Sequence, residues 1–490
     1  MAADAAAGGH GQRLLSAARS YLSTELINAV ATVAGVAVFT RLVPPSVYGS
    51  YAVAIAAGGV AIALTGEWLQ AATLRLASEL RRNAHRDAYQ RALLQLTAAS
   101  TGVLLVATLA ALALLPTIAA RVLALWAFFY AALSVFFLGV TTLFQANLQS
   151  RQFALYRSAY SVLRIVLAVA LVLAVRRSAG SLVGGSVFAL ALLLPGALRH
   201  LLRGSTAQSA PRVYAARAAV LRYGLPFVLW FGAGQVLNLS HRFFLQVFRG
   251  SAEVGIYAVS YAVAAAGTST ILQPILGAVV PLLVRAWGSG GPTAAAAQMA
   301  YAVRVFVLVS PLLFLGLTLF GPDALAVVAP HEYATGRVLI SVLAAGVLLL
   351  NAGMYLQKAL ELHLRSRVLV VLYCSAAGVN ILLNVLLIPR FAMMGAAVAT
   401  LAGYACYAGA VYVLSRRALP YPLPLRAVRS ALAGCAAFAF VAWTLERVGW
   451  LAGTWQRLVV AAPAAALAYG AVLVLRGELR PAALRQAVAR

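Results

Sequence analysis

Tyr21 to Ala63 reads YLSTELINAVATVAGVAVFTRLVPPSVYGSYAVAIAAGGVAIA: two apolar segments of membrane-spanning length joined by the short connector Thr40 to Tyr48. A comparable arrangement returns between Gly224 and Ala266. There Gly255, Tyr257, Ala258, Val259 and Ala262 keep the spacing of Gly49, Tyr51, Ala52, Val53 and Ala56. Such a parallel internal repeat implies two similar helical halves, a construction recurrent in membrane transporters.

Composition fixes the solvent. Mean hydropathy is +0.91, 63% of residues are apolar and only 10% are charged, so the chain lacks the polar surface a water-soluble globule needs. Apolar runs of about 20 residues recur along the sequence, each long enough to cross a hydrocarbon core about 30 Å thick as a helix. A membrane β-barrel would instead show alternating segments of about 10 residues. The sequence therefore predicts an all-α multi-span membrane protein.

The 38 basic and 11 acidic residues give a net charge of +27, and every basic residue except Lys358 is Arg. These charges sit mainly in the connectors between apolar runs. Membrane lipid, with its anionic headgroups, is the partner this implies, and nucleic acid is not. Cys374, Cys406 and Cys435 fall inside apolar runs without CxxC or Cys/His spacing. They read as small core residues, with no metal site and no disulfide framework. The first twelve residues lack the n-region, h-region and cleavage site of a signal peptide, so the first span is expected to stay in the mature protein.

Taken in order, the apolar runs place about fourteen spans, near residues 20–39, 47–66, 92–115, 118–144, 159–175, 181–198, 223–240, 254–282, 301–320, 335–356, 368–388, 393–414, 427–445 and 451–475. Most Lys and Arg then share a side with the N-terminus, which makes both termini cytoplasmic by the positive-inside rule. The expected organisation is a cytoplasmic tail (1–19), a six-helix lobe (20–198), a basic linker (199–222) containing Gly204, Ser205, Ser209 and Pro211, and a second six-helix lobe (223–414). Two peripheral helices (427–475) and a cytoplasmic tail (476–490) complete it. The connector 75–91 carries Arg75 and Glu79 at i, i+4 and is expected to form an interfacial helix.

Three islands of sequence resemble a known family. Phe39-Thr-Arg-Leu-Val-Pro-Pro-Ser-Val-Tyr-Gly-Ser-Tyr is similar to the start of polysaccharide-biosynthesis flippases of the Wzx type, in the multidrug/oligosaccharidyl-lipid/polysaccharide (MOP) exporter superfamily. Tyr223-Gly-Leu-Pro, His241-Arg-Phe-Phe-Leu and Val254-Gly-Ile-Tyr repeat the likeness in the second half. Asn380-Ile-Leu-Leu-Asn-Val-Leu-Leu-Ile-Pro-Arg-Phe with Gly395-Ala-Ala-Val-Ala-Thr resembles the family's eleventh and twelfth spans. The resemblance implies a MATE-like fold of two pseudo-symmetric six-helix lobes around a central cavity. It also implies a function: moving lipid-linked oligosaccharide on an undecaprenyl pyrophosphate carrier across the bacterial inner membrane by alternating access, as in O-antigen and lipopolysaccharide assembly. The polysaccharide polymerase and glycosyltransferases of the pathway would be further partners. Members often carry Asp before the Arg that ends the seventh span, where this chain has His241.

Polar residues inside spans are the candidates for such a path, because an unsatisfied polar or charged group in lipid is costly. On the first span Tyr21, Thr24, Glu25, Asn28 and Thr32 share one helical face, and on the seventh Gln235, Asn238 and Arg242 do so. Both stripes suit a hydrated cavity, and both also suit hydrogen bonding between buried helices. Glu25, read as the one acidic residue well inside a span, could couple transport to protons, or pair with a loop Arg at interfacial depth. Arg41, Arg164 and Arg242 carry the planar donor fork that grips phosphate, although residues near span ends also snorkel to headgroups. Arg304 and Arg337 lie near the starts of the ninth and tenth spans. Asn351, Asn380 and Asn384 could meet sugar hydroxyls or hold neighbouring helices, and the structural role is the stronger reading.

No GxxxxGK[ST] loop, HExxH, GxSxG or metal-ligand cluster occurs, and no cofactor is implied. That leaves a transporter, not an enzyme, driven by ion gradients, membrane potential or mass action. A cation-coupled multidrug exporter of the same superfamily is the first rival. A membrane glycan polymerase or ligase is the second, disfavoured by the short connectors near 242–253 and 321–334.

Overall fold

The computed structural model describes residues 27–82, 86–203, 210–363, 366–447 and 453–478. Among these residues no strand occurs. Eleven helices are long and apolar enough to cross a membrane, and a shorter apolar helix, α1 (Ile27–Leu42), precedes them. Pro45 opens α2 (Pro45–Ile62) at a first-turn position where its missing N–H costs nothing. A π-helical turn, Ala63–Glu67, carries α2 into α3 (Trp68–Arg82), so one span runs from Pro45 to Leu76.

The expected interfacial helix over 75–91 is not a separate element. Its first residues continue α3 and its last open α4 (Arg86–Leu114). Then come α5 (Ile118–Ala146), α6 (Ser150–Ala174), α7 (Ala179–Leu202) and α8 (Ala210–Phe248). Most of the expected linker 199–222 is likewise helix, the ends of α7 and α8. Gly204, Ser205 and Ser209 lie outside the described residues.

The remaining helices are α9 (Ser251–Val328), α10 (Ile340–Leu356), α11 (Lys358–Leu362), α12 (Ser366–Ala418), α13 (Leu425–Arg447) and α14 (Ala462–Leu475). Straight, α9 and α12 would be roughly 120 and 80 Å long, several times the thickness of a hydrocarbon core. Each instead turns back once, at Gly291 (φ 64°) and at Ala392 (φ 50°). Across the first turn Gly267 packs on Leu317. Across the second, Asn380 Nδ2 donates to Ala399 O at 3.1 Å. Both are helical hairpins holding two of the expected segments each. That, with the first segment described only from Ile27, is why eleven spanning helices stand where fourteen were expected.

Two compact units divide the chain, Met1–Arg242 and Phe243–Arg490. The division falls inside α8, so residues 210–242, expected in the linker and second lobe, pack with the first unit. There α5 lies against α2, α3, α4, α6 and α7, and Trp68, Tyr89, Phe137, Phe144, Leu190 and Val220 form the core. The backbones of α6 and α7 nearly touch, because a Cβ at Gly185 would stand 2.5 Å from Ala168 N and Cβ. Gly180 and Gly184 similarly admit the Trp126 ring.

In the second unit α10 contacts both hairpins. The α13–α14 pair rests on the second arm of α9, where Tyr469 Oη donates to Leu308 O at 2.7 Å. Large apolar side chains stay exposed on α4, among them Val103, Val106 and Leu109, as expected where lipid is the solvent. Cys374 and Cys406 are also exposed rather than in the core, which costs an apolar thiol nothing in hydrocarbon.

The internal repeat is visible in the helix ends. α1 stops at Leu42 and α2 starts at Pro45; α8 stops at Phe248 and α9 starts at Ser251, the same offset that relates Tyr51 to Tyr257.

Gly185→Val should destabilise the protein by about 1–3 kcal/mol through overpacking against the α6 backbone, read as a lower Tm in detergent. Ala392→Gly should hold or raise Tm, since it relieves an L-residue at positive φ.

Candidate functional site

A polar cluster is built inside the first unit. Ser161 and Arg164 share a face of α6, three residues apart. Ser161 Oγ donates to Asn28 Oδ1 of α1 at 3.1 Å, and Arg164 Nη2 reaches Thr32 Oγ1 at 3.4 Å. Thr32 Oγ1 donates in turn to Asn28 O at 2.7 Å. The described part of the α1 stripe therefore lies on α6.

From α8, Arg242 Nη1 donates to Ala52 O of α2 at 3.4 Å. Tyr51, next to Ala52, lies within electrostatic reach of Arg164, Arg242 and Tyr160. Tyr130 of α5 lies within reach of Arg164, Tyr51 and Tyr160. Phe39 and Tyr48 hold the Tyr51 ring, with centroids 5.7 and 5.6 Å away. Tyr130 fits only because position 58 is Gly, where a Cβ would stand 2.5 Å from its ring.

Arg164 thus lies within electrostatic reach of Tyr51 and Tyr130, and Arg242 within reach of Tyr51. Each guanidinium has five donors, and the long contacts to Thr32 and Ala52 leave most of them uncommitted. Arg164 Nε and Arg242 Nε are buried without a hydrogen-bond partner, and no ion pair reaches either side chain, among the described residues. Such a cluster offers positive charge and directional donors with no described carboxylate bound to them.

Further along α8, Gln235 Nε2 donates to Glu67 Oε1 at 3.2 Å. Glu67 belongs to the π-helical turn within the continuous helical run Pro45–Leu76. π-Turns of this kind often mark functional positions.

The other expected residues are dispersed. Tyr21, Thr24 and Glu25 lie outside the described residues. Arg41 is exposed, and its Nη1 donates to Ala37 O at 2.7 Å, near the end of its own helix. Asn238 is half-buried on α8, one turn before Arg242. In the second unit Asn351 accepts from Gln273 at 3.0 Å and donates to Ser269 Oγ at 3.3 Å. Asn380 and Asn384 are fully buried, and Asn384 Nδ2 donates to Asn380 Oδ1 at 2.9 Å. These three asparagines join α9 to α10 and the two arms of α12.

Sequence reasoning missed Tyr51, Tyr130, Tyr160 and Glu67. A signal for Tyr51 was available in its repeat partner, Tyr257, which is fully buried and pairs with Thr400 Oγ1 at 3.2 Å.

Residues 14–287, more than half of the chain and all of the cluster, match the model of a family described as polysaccharide biosynthesis protein. The chain belongs to that family. No curated protein matches it. Among solved structures, the chain is similar to the lipid II flippase MurJ in an inward closed conformation, with a TM-score of 0.71 at 10% identity over 95% of this chain and 99% of that one. It is also similar to an inward-facing multidrug resistance MATE family transporter of the MOP superfamily, with a TM-score of 0.62 at 14% identity over 82% and 98% of the two chains. The MATE multidrug transporter DinF-BH gives 0.56 at 17% identity over 83% and 95%. At these identities the likeness establishes a fold, that of the MOP superfamily, and this polysaccharide biosynthesis family member shares it.

Asn28→Ala and Ser161→Ala should each cost little, with a coupling energy of about 1 kcal/mol in a double-mutant cycle on thermal stability. Strict additivity would show that α1 does not rest on α6 through this pair.

Proposed function

We propose that this protein translocates lipid-linked oligosaccharide, carried on a polyprenyl pyrophosphate, across the bacterial inner membrane during polysaccharide assembly, with both termini cytoplasmic. The observation that carries the proposal is that Arg164 and Arg242, on two spanning helices, both lie within electrostatic reach of Tyr51, donors uncommitted and no described carboxylate attached. Isolated charge in hydrocarbon is costly and, where it persists, marks a substrate or ion path.

A pyrophosphate supplies the acceptors these groups lack. Each guanidinium can grip two phosphate oxygens at once and stays charged at any physiological pH. The hydroxyls of Tyr51, Tyr130 and Tyr160 add donors on apolar bodies that tolerate lipid. Because Thr32 Oγ1 and Ala52 O are weak, neutral partners, binding and release need only small rearrangements. Exposing this cluster to one side of the membrane and then the other would complete transport, and enzymes that build and polymerise the glycan would be its pathway partners.

A second reading, a cation-coupled exporter of the same superfamily, draws on the Glu67–Gln235 contact, a carboxylate of the kind that binds cations. Glu25 offers proton coupling under either reading. Glu25→Gln should then abolish the pH-gradient dependence of transport, and an unchanged response would remove it from coupling.

Arg164→Ala and Arg242→Ala should each cut glycan export roughly tenfold to a hundredfold, the loss of one charge-assisted contact of about 1.5–3 kcal/mol. Membrane insertion should stay normal. Arg164→Lys, which keeps charge but loses the fork, should fall between. Full export by both Ala variants in a null strain would take these residues out of the substrate path.

A further inference from the structure

A second cationic feature lies wholly within the second unit and plays no part in the proposal above. The second arm of α9 and α14 leave between them a cavity of about 280 Å³, walled by Val305, Leu308, Leu312, Ala466, Gly470 and Leu473. One end is polar, where Tyr301, Arg304 and Glu478 close it. From Tyr301 to Leu312 the groove follows α9 for roughly 16 Å, about half of a 30 Å hydrocarbon core. That is the depth of a single leaflet.

The polar end is unbalanced. Glu478, its side chain 2% exposed, pairs with Arg304 Nη2 at 2.7 Å and accepts from Ser430 Oγ at 3.0 Å. Arg426, 80% exposed, stands at 3.6 Å from the same carboxylate. Arg426 Nη2 also donates to Arg476 O at 3.0 Å, and Arg476 Nη1 to Arg429 O at 3.5 Å. Two arginines, Arg304 and Arg426, therefore reach one carboxylate that Arg304 already holds closely, and Arg426, Arg429 and Arg476 stand exposed beside the cavity mouth, outside its wall.

We infer that this groove is a binding site for an anionic glycerophospholipid: its phosphate rests on Arg426, Arg429 and Arg476, and one acyl chain lies along Leu308, Leu312 and Gly470. Charge complementarity selects this occupant. A larger apolar recess between α6 and α7, near Leu171 and Phe188, has no charged residue in its wall and offers nothing to recognise a headgroup. Exposed basic residues beside an apolar surface are the usual means of recognising anionic lipid, and arginine forks suit phosphate. Gly470 fits the role as well, since a Cβ there meets nothing within 4 Å and the chain has room to lie against the helix backbone.

The test is native mass spectrometry of the full chain in neutral detergent, with phosphatidylglycerol and phosphatidylcholine of equal chain length. The wild type should retain one phosphatidylglycerol at least tenfold more strongly than phosphatidylcholine. Arg426→Gln with Arg429→Gln, both at exposed positions, should abolish that preference. Gly470→Leu, which fills open space without a clash, should lower retention of phosphatidylglycerol tenfold with the arginines intact. Three results would overturn the inference: equal binding of the two lipids by the wild type, unchanged phosphatidylglycerol binding in both variants, or displacement of phosphatidylglycerol by an equimolar polyprenyl phosphate. None depends on glycan export, so this site and the proposed transport function fail separately.

Discussion

An arginine at membrane depth has no water to occupy its donors. In the first unit two arginines of spanning helices, Arg164 and Arg242, both lie within electrostatic reach of Tyr51 with no described carboxylate attached to either. Keeping one such charge in a helix centre costs about 2.5–3.5 kcal/mol on insertion scales. The protein offsets this only in part, with one hydroxyl and one main-chain carbonyl at long range. The helices around them are drawn together by small residues: Gly58 admits Tyr130, and Gly185 admits Ala168. Close packing thus maintains a charged, under-satisfied cluster that isolated helices in lipid would not keep.

The two copies of the internal repeat have diverged in how they use their polar groups. In the second unit these groups are spent on one another. Tyr257 pairs with Thr400, Tyr261 with Tyr404, Asn351 with Ser269 and Gln273, and Asn380 with Ala399. Those contacts hold the α9 and α12 hairpins and α10 in register. In the first unit the tyrosine at the repeated position lies within electrostatic reach of two cations instead. One copy therefore commits its polar groups to helix packing, and the other leaves arginine donors uncommitted. The terminal helices extend the structural side: Arg457, just before α14, bridges Asp323 of α9 and Glu446 of α13, and Glu478, just after α14, holds Arg304 of α9, so α14 is tied to α9 beyond each of its ends.

Much of this was legible in the sequence. The repeat, the all-helical class, Arg164 inside a span and Arg242 at the end of one follow from hydropathy, spacing and the few charges near apolar runs, and the MOP-type fold follows from the family resemblance. Helix boundaries were not so legible. The π-helical turn at Ala63–Glu67 conceals the continuation of a span through a glutamate, because a hydropathy window stops at the first charge. The turns at Gly291 and Ala392 do fall in the gaps between expected spans, 282–301 and 388–393, and Pro292 directly follows Gly291; what hydropathy does not give is how nearly helical the chain stays on either side of each turn. The tyrosines were invisible for another reason: twenty are spread along the chain, and what distinguishes three of them is proximity across α2, α5 and α6, which no local pattern encodes. The asparagines suit two roles by sequence, and their contacts are those of helix packing.

Direct binding of a short polyprenyl pyrophosphate to the purified protein bears most closely on the arginine pair. Farnesyl pyrophosphate and farnesol differ only in the group that Arg164 and Arg242 would hold. If the two guanidinium groups grip the pyrophosphate, the wild type binds farnesyl pyrophosphate far more tightly than farnesol, and the Arg164→Ala, Arg242→Ala double variant binds the two alike. A double variant that keeps the full pyrophosphate preference would contradict it.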